Sequence, residues 1–351
     1  MAYLSFPNVK FAGIAAAVPK EIKEVKDWPV FVPGEAEKVI GLTHIERARI
    51  APEGLCCSDL CFEAADKLIN ELKWDRNEIE ALIFVSLSRD YLLPATSCLL
   101  QDRLGLSKDC YAIDVPLGCS GYTYGLSVVS GLVSNGSIKK ALLLVGETTS
   151  TFHSPLDKTI WPLIGDAGTA TAIEFDEGNE GIVFQMGTDG SKGNAIISPD
   201  GGARNPVTNE SFIMKEVAPG ISRNRMQVIM DGLNVFAFSI TQPPKSIMDL
   251  CEHFNLDLNN IDYFLIHQAN HYMDEKIGRK LKADQSKIPY SLTEFGNTSC
   301  ATIPLTMVTE LNAVLQEKEL SLIMCSFGAG LSWGSAFLKT NQICCPPLIE
   351  I

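Results

Sequence analysis

The sequence predicts an α/β sandwich made of two duplicated halves that pack into one body. Three observations lead there. Helical and strand patterns alternate along the 351 residues, two segments recur in the same order half a chain apart, and 46% apolar residues supply a core of ordinary size. Taken in order, apolar residues return at helical spacing over Ser58–Leu72, Ala95–Leu104, Ser120–Ser134, Ile240–Phe254, His271–Leu281 and Ile303–Gln316. Between them lie apolar runs too short for helices and bounded by polar or glycine turns. These read as strands over Ala81–Ser86, Ala141–Val145, Thr169–Glu174, Tyr263–Ile266, Leu320–Met324 and Ser335–Lys339.

The repeat is visible residue by residue. WDRNEIEALIFVS (Trp74–Ser86) re-reads as LDLNNIDYFLIHQ (Leu256–Gln268): each ends a helix, passes an Asn/Asp turn and enters a buried strand. A second pair starts at Lys139 and at Glu319, each with a strand, a glycine turn and another strand. The boundary falls near Phe175–Gly181, dividing the chain into 1–177 and 178–351.

Charge and cysteine usage narrow the function classes. The formal charge of −13, from 29 basic and 42 acidic residues, argues against a nucleic-acid surface, so any anionic partner needs a local basic patch. Eleven cysteines make an odd number for a disulfide framework, and none has metal-ligand spacing with another Cys or a His; Cys56/Cys57 and Cys344/Cys345 are adjacent pairs. We therefore expect free thiols in a reducing compartment, no metal and no bound cofactor. The N-terminal stretch shows no signal-peptide pattern, and no run of about 18 apolar residues occurs. A soluble cytoplasmic protein without membrane insertion is expected.

Chemistry concentrates at three junctions. In DVPLGCSGYTYG a strand breaks into a loop, and Cys119 stands where a helix begins, between Gly118 and Gly121. Unpaired N–H groups and the positive end of the helix dipole are expected to lower the pKa of a thiol there, making Cys119 a candidate nucleophile. His267 ends the strand YFLIH and opens HQAN, where α/β folds present side chains to a crevice. Asn297 lies in FGNTSCATIP, a turn before another helix. Each residue type also serves structural roles at such places: a packing thiol, a strand-end histidine, a turn asparagine. Together, Cys, His and Asn suit covalent acyl chemistry, with a thiolate that takes the acyl group and two neutral donors that steady an oxyanion.

GCSG at Cys119, GDAG at Gly165–Gly168, HQAN at His267–Asn270, GNTS at Gly296–Ser299 and the ending FGAGLSWGSA resemble the 3-oxoacyl-(acyl-carrier-protein) synthase III family, from about Phe11 to Lys339. The resemblance implies a thiolase-like fold: two βαβαβαββ halves in a five-layer α-β-α-β-α sandwich, forming a homodimer. It implies that Cys119 accepts an acyl group from a thioester. His267 and Asn297 then bind the thioester carbonyl of malonyl-acyl carrier protein while carbon dioxide leaves, and the carbanion attacks acyl-Cys119. The oxyanion hole would be the backbone N–H groups of Cys119 and Ala329. Related families are excluded by what is missing. Ser326 stands where a degradative thiolase has a second cysteine, with Cys325 one residue off. Leu87, Ser88 and Arg89 stand where hydroxymethylglutaryl-CoA synthase has a glutamate, and Asn297 where elongating ketosynthases have a second histidine.

The departures concern the primer. Members that use acyl-CoA grip it with a tryptophan and arginines; here Leu42 lies near one arginine's place, Trp28 is a loose equivalent of the tryptophan, and Lys158 and Tyr272 replace other arginines. Lysine meets phosphate as a point charge but stacks poorly on adenine, which leaves room for a carrier-bound primer. Leu93, Leu163 and Ile164 are candidate acyl-pocket residues, Leu93 reaching across the dimer in the family. Lys276, Arg279 and Lys280 share one helix side as a candidate docking face for the acidic acyl carrier protein. Trp161 and His153 receive no role. The reading is a decarboxylating condensing enzyme of fatty-acid initiation or a dedicated acyl-chain pathway. The alternatives are acyl transfer from Cys119 to an alcohol or amine, and a non-catalytic scaffold.

Overall fold

The computed structural model describes residues 2–351. The first half contains β1 (Ala2–Phe6), β2 (Val9–Val18), the short pair β3 (Ile22–Glu24) and β4 (Arg47–Arg49) around α1 (Glu35–Thr43), then α2 (Cys57–Leu72), β5 (Ala81–Val85), α3 (Thr96–Arg103), β6 (Tyr111–Val115), α4 (Gly121–Val133), β7 (Lys140–Thr148) and β8 (Asp166–Phe175). The second half opens with β9 (Ile182–Thr188). It continues through β10 (Ile196–Ile197), β11 (Lys215–Ala218), β12 (Ile221–Arg223) and β13 (Ile229–Met230). It then runs α5 (Gly232–Ser239), α6 (Gln242–Phe254), β14 (Tyr263–Ile266), α7 (His271–Leu281), α8 (Leu292–Phe295), α9 (Thr302–Glu310), α10 (Asn312–Glu317), β15 (Glu319–Gly328), β16 (Ser332–Asn341) and β17 (Ile349–Glu350).

Two main sheets form, in the orders β17-β2-β8-β7-β5-β6 and β1-β9-β16-β15-β14. Alternation along each strand sets the layers. Ile83, Val85, Leu143 and Val145 point into the space between the sheets, with Leu322 and Met324 opposite them. Leu82, Phe84, Leu142 and Leu144 point outward under α2. Ile323 and Cys325 do the same beneath α6 and α7. Helices α4 and α9 contact both sheets and fill the middle layer, which completes the five-layer stack.

The repeat read in the sequence is the repeat of the fold. Asp75 and Asp257 each accept a hydrogen bond from the backbone N–H two residues on, at Asn77 and Asn259, and so cap matching 3₁₀ turns ahead of β5 and β14. β7 and β8 correspond to β15 and β16, and both pairs are antiparallel. The chain passes between the sheets from β8 to β9, but both ends cross back: β1 pairs with β9 in the second sheet and β17 with β2 in the first. The two chain ends thus each join the sheet built mainly from the other half of the chain.

Several elements differ from expectation. The helix expected over Ile303–Gln316 is two helices that meet at Leu311, whose φ of −115° and ψ of 7° break the helical backbone. The helix expected from Ile240 begins at Gln242, because Pro243 and Pro244 occupy its first turn, where a missing N–H costs nothing. Strands β7 and β8 run beyond their apolar cores through Glu147, Thr148 and Asp166, which are buried and hydrogen-bonded. β2 was not expected as a strand; its Ala-rich run is buried on both faces and shows no period to read.

Candidate active site

Cys119 lies in the loop between β6 and α4, with its backbone held by a hydrogen bond from the Gly121 N–H to the Gly118 carbonyl (2.6 Å). Gly328, the last residue of β15, faces it: a Cβ on Gly328 would lie 2.4 Å from Cys119 Cβ and 3.0 Å from its sulfur, so only glycine fits. Ser326 Oγ donates to the Ser120 carbonyl (2.9 Å) and accepts from the Thr123 N–H (3.3 Å), tying the start of α4 to β15. The position where degradative thiolases carry their second cysteine is here a structural clamp.

His267 continues the ladder of β14 through its N–H to the Cys325 carbonyl (2.9 Å). The other polar residues of HQAN serve the backbone: Gln268 bonds Ile266 and Ser291, and Asn270 caps α7 through Met273 N. Phe327 meets the imidazole edge-on at 5.3 Å. Burial drives the His267 pKa down to about 4, so the ring is neutral at neutral pH.

Asn297 is pinned to Ile164 by two backbone bonds, Asn297 N to the Leu163 carbonyl (2.7 Å) and Gly165 N to the Asn297 carbonyl (3.1 Å). Gly165 allows this approach, since a Cβ there would lie 1.9 Å from the Phe295 carbonyl oxygen. The side-chain oxygen of Asn297 accepts from Ser299 N (2.9 Å), which leaves the carboxamide N–H groups as the unengaged donors. Asp166 of GDAG is structural: its carboxylate binds Ala51 N, Ser150 and Thr149.

Cys119, His267 and Asn297 line one cavity of about 160 Å³ at the seam between the halves, together with Leu163, Ile164, Phe327 and Ala329. The Cys119 thiol departs from expectation, because its pKa is raised. Burial is the largest cause and the Glu147 carboxylate adds to it; the Ser299 hydroxyl, 3.8 Å from the sulfur, and the N–H groups of Cys119 and Ala329 offset it only in part. The residue as a whole is only partly buried, yet the dense surroundings of its sulfur outweigh the helix N-terminus. The backbone N–H groups of Cys119 and Ala329 both act on the sulfur.

Lys158 and Leu93 are not among the lining residues. Lys158 is drawn away by Glu35, at 2.8 Å. Leu93 sits on the loop after β5 and is 87% exposed. Trp28 packs on Trp161 at 5.4 Å and donates its indole N–H to the Pro155 carbonyl. On α7, Arg279 pairs with Glu275 and Lys276 lies over the Tyr272 ring, while Lys280 is exposed. All eleven cysteines are free. Among the described residues no group of three or more His, Cys, Asp or Glu residues could hold a metal ion, and no helix is long and apolar enough to cross a membrane.

Sequence reasoning missed Glu147, Ser299 and Thr302. Glu147 is fully buried, with its pKa raised by burial to about 7, and its carboxylate accepts from Leu87 N (2.8 Å), Ser88 N (3.1 Å) and Ser88 Oγ. A lone acid in the apolar run ALLLVGET was the available signal.

Residues 113–190 match the family described as 3-oxoacyl-[acyl-carrier-protein (ACP)] synthase III, and residues 251–340 match its C-terminal part. A putative 3-oxoacyl-[acyl-carrier-protein] synthase 3 of Campylobacter jejuni is 34% identical over 349 residues, which cover 96% of each chain. A beta-ketoacyl-[acyl-carrier-protein] synthase III of Aliarcobacter butzleri is 30% identical over 95% of this chain and 98% of that protein. The crystal structure of a 3-oxoacyl-(acyl-carrier protein) synthase from Burkholderia xenovorans superposes with a TM-score of 0.93 at 34% identity, covering 100% of this chain and 99% of that one. Fold and site define an acyl-transferring condensing enzyme. The chain belongs to the 3-oxoacyl-[acyl-carrier-protein] synthase III family.

Proposed function

We propose that this protein joins an acyl primer to malonyl-acyl carrier protein with loss of carbon dioxide, giving 3-oxoacyl-acyl carrier protein. The observation that carries the reading is the single cavity lined by Cys119, by a neutral His267 and by an Asn297 whose oxygen is already engaged. The Cys119 sulfur takes the acyl group, and its proton leaves with the departing thiol. Carbon dioxide departs from the malonyl group while N–H donors of His267 and Asn297 hold the enolate oxygen, each contributing ~3 kcal/mol to the transition state. The enolate carbon attacks acyl-Cys119, the Cys119 thiolate leaves, and a proton from solvent restores the thiol. Transfer of the acyl group to an alcohol or amine is disfavoured, because it would leave the His267 and Asn297 donors without a task.

No coenzyme or metal takes part in this reading. We place the primer on a carrier protein, since Lys158 is neutralised by Glu35 and Trp28 is closed onto Trp161. Lys276, Arg279 and Lys280 are the proposed docking residues on the carrier side. The exposed apolar run Tyr91, Leu92 and Leu93 supports a homodimer, with Leu93 meeting the partner's pocket. Free cysteines support a cytoplasmic setting. The test is intact mass after exposure to acyl-carrier and acyl-CoA donors, followed by malonyl-carrier with carbon dioxide measured. The expected result is an acyl adduct on Cys119, absent in Cys119→Ala, that is consumed with carbon dioxide release. An adduct transferred without malonyl would overturn the reading.

A further inference from the structure

The imidazole of His267 meets one hydroxyl, that of Thr302, and one backbone carbonyl, that of Ser299, which raises its pKa against the larger effect of burial. Nδ1 lies 2.8 Å from Thr302 Oγ1 at the first turn of α9. The same hydroxyl donates to the Ser299 carbonyl at 3.0 Å. That carbonyl also receives the backbone N–H of Thr302. At neutral pH the buried ring is neutral and carries a single N–H.

A threonine hydroxyl has one proton, so two arrangements exist. With the proton on the Ser299 carbonyl, Oγ1 can only accept; the ring hydrogen then sits on Nδ1, and Nε2 is a bare lone pair. With the hydroxyl turned toward Nδ1, the ring hydrogen sits on Nε2. The turn is cheap because the Ser299 carbonyl keeps its backbone N–H. Malonyl decarboxylation, as read above, needs a donor at Nε2, and this inference rests on that reading.

We propose that Thr302 is the positioning residue that selects the tautomer of His267: its hydroxyl donates to Nδ1 while the malonyl thioester is bound, and so keeps the ring hydrogen on Nε2. Thr302 is 2% exposed and is not among the cavity-lining residues, so it acts through the imidazole. Without the hydroxyl, the Ser299 carbonyl beside the ring takes Nδ1–H and leaves Nε2 bare. A bare Nε2 can accept a proton but cannot donate one. Loss of the hydroxyl therefore separates the half-reactions, sparing formation of acyl-Cys119 and stopping decarboxylation.

The test compares Thr302→Val, which swaps the hydroxyl for a methyl group, with Thr302→Ser, which keeps it. Three readouts are taken: carbon dioxide from malonyl-carrier, acyl-Cys119 by intact mass, and the His267 tautomer by ¹⁵N NMR of histidine-labelled protein, which has five histidines to assign. Thr302→Val should carry its hydrogen on Nδ1 and lose decarboxylation on the order of 100-fold while still forming acyl-Cys119. Thr302→Ser should restore both the Nε2–H signal and carbon dioxide release. The proposal is overturned if Thr302→Val keeps Nε2–H or its decarboxylation rate, or if Thr302→Ser fails to restore them. Should Thr302→Val not fold, wild-type protein with an unreactive malonyl thioester analogue decides, and hydrogen on Nδ1 there overturns the proposal. A wild-type protein that never releases carbon dioxide overturns the functional reading instead, a result the NMR assignment distinguishes.

Discussion

Replacing Glu147 with glutamine removes a titratable group from beside the cavity while keeping its shape. Glu147 is fully buried, and its pKa is raised from 4.5 to about 7, chiefly by desolvation against the partial relief supplied by Ser88 and the Leu87 N–H. In the folded protein the carboxyl therefore keeps a proton that the unfolded chain releases above pH 4.5. Its ionisation costs nothing below that pH and costs progressively more as the pH rises to 7. At about 1.36 kcal/mol per pH unit, the cost reaches about 3 kcal/mol. His267 runs the other way: its folded pKa of about 4 lies below the ordinary 6.5, so its contribution is present above pH 6.5 and is lost as the pH falls toward 4. In the wild type the two slopes oppose each other, and Glu147→Gln uncovers the histidine. Urea unfolding followed by tryptophan fluorescence from pH 4.5 to 8 measures the difference between variant and wild type. That difference should move in favour of the variant by about 3 kcal/mol up to pH 7 and then level off. The glutamine amide facing Ser88 N–H adds a fixed offset that a slope ignores. A difference that stays constant through the window would refute the reasoning.

Two further outcomes follow from the nucleophile's surroundings. Gly328→Ala places a methyl 2.4 Å from Cys119 Cβ, so the Cys119 acylation rate, followed by intact mass, should fall on the order of 100-fold while the protein stays folded by circular dichroism; an unchanged rate would mean that the two residues do not face each other. Because the Cys119 pKa is raised above 9.0, its alkylation by iodoacetamide should still be accelerating at pH 9.0, and a plateau near neutral pH would show a stabilised thiolate instead.

The parts of the fold that were legible are those written locally. The Asp-x-Asn turns before β5 and β14 carry their own capping hydrogen bonds, so the repeat announced itself without tertiary information. Helix α7 runs over the expected His271–Leu281 because its apolar side and its Asn270 cap both lie within the segment. β2 was illegible for the opposite reason: a strand covered on both faces has no alternation to read. Lys158 suggested phosphate binding, but its charge is answered by Glu35, 123 residues earlier in the chain. The helix N-terminus at Cys119 suggested an activated thiol, yet local dipoles compete with burial by residues from the other half.

By itself the sequence determined the alternation of helices and strands, the duplication, and the placement of Cys119, His267 and Asn297 at turns where strands end. These depend on neighbours a few positions away. The tertiary structure alone decided that the three share a cavity, that the thiol is held protonated, that the Asn297 oxygen is engaged by Ser299, and that His267 answers to Thr302. Desolvation and hydrogen-bond partnership are set by which surfaces meet when the halves close. The Ser299 hydroxyl that reaches the Cys119 sulfur comes from 180 residues along the chain.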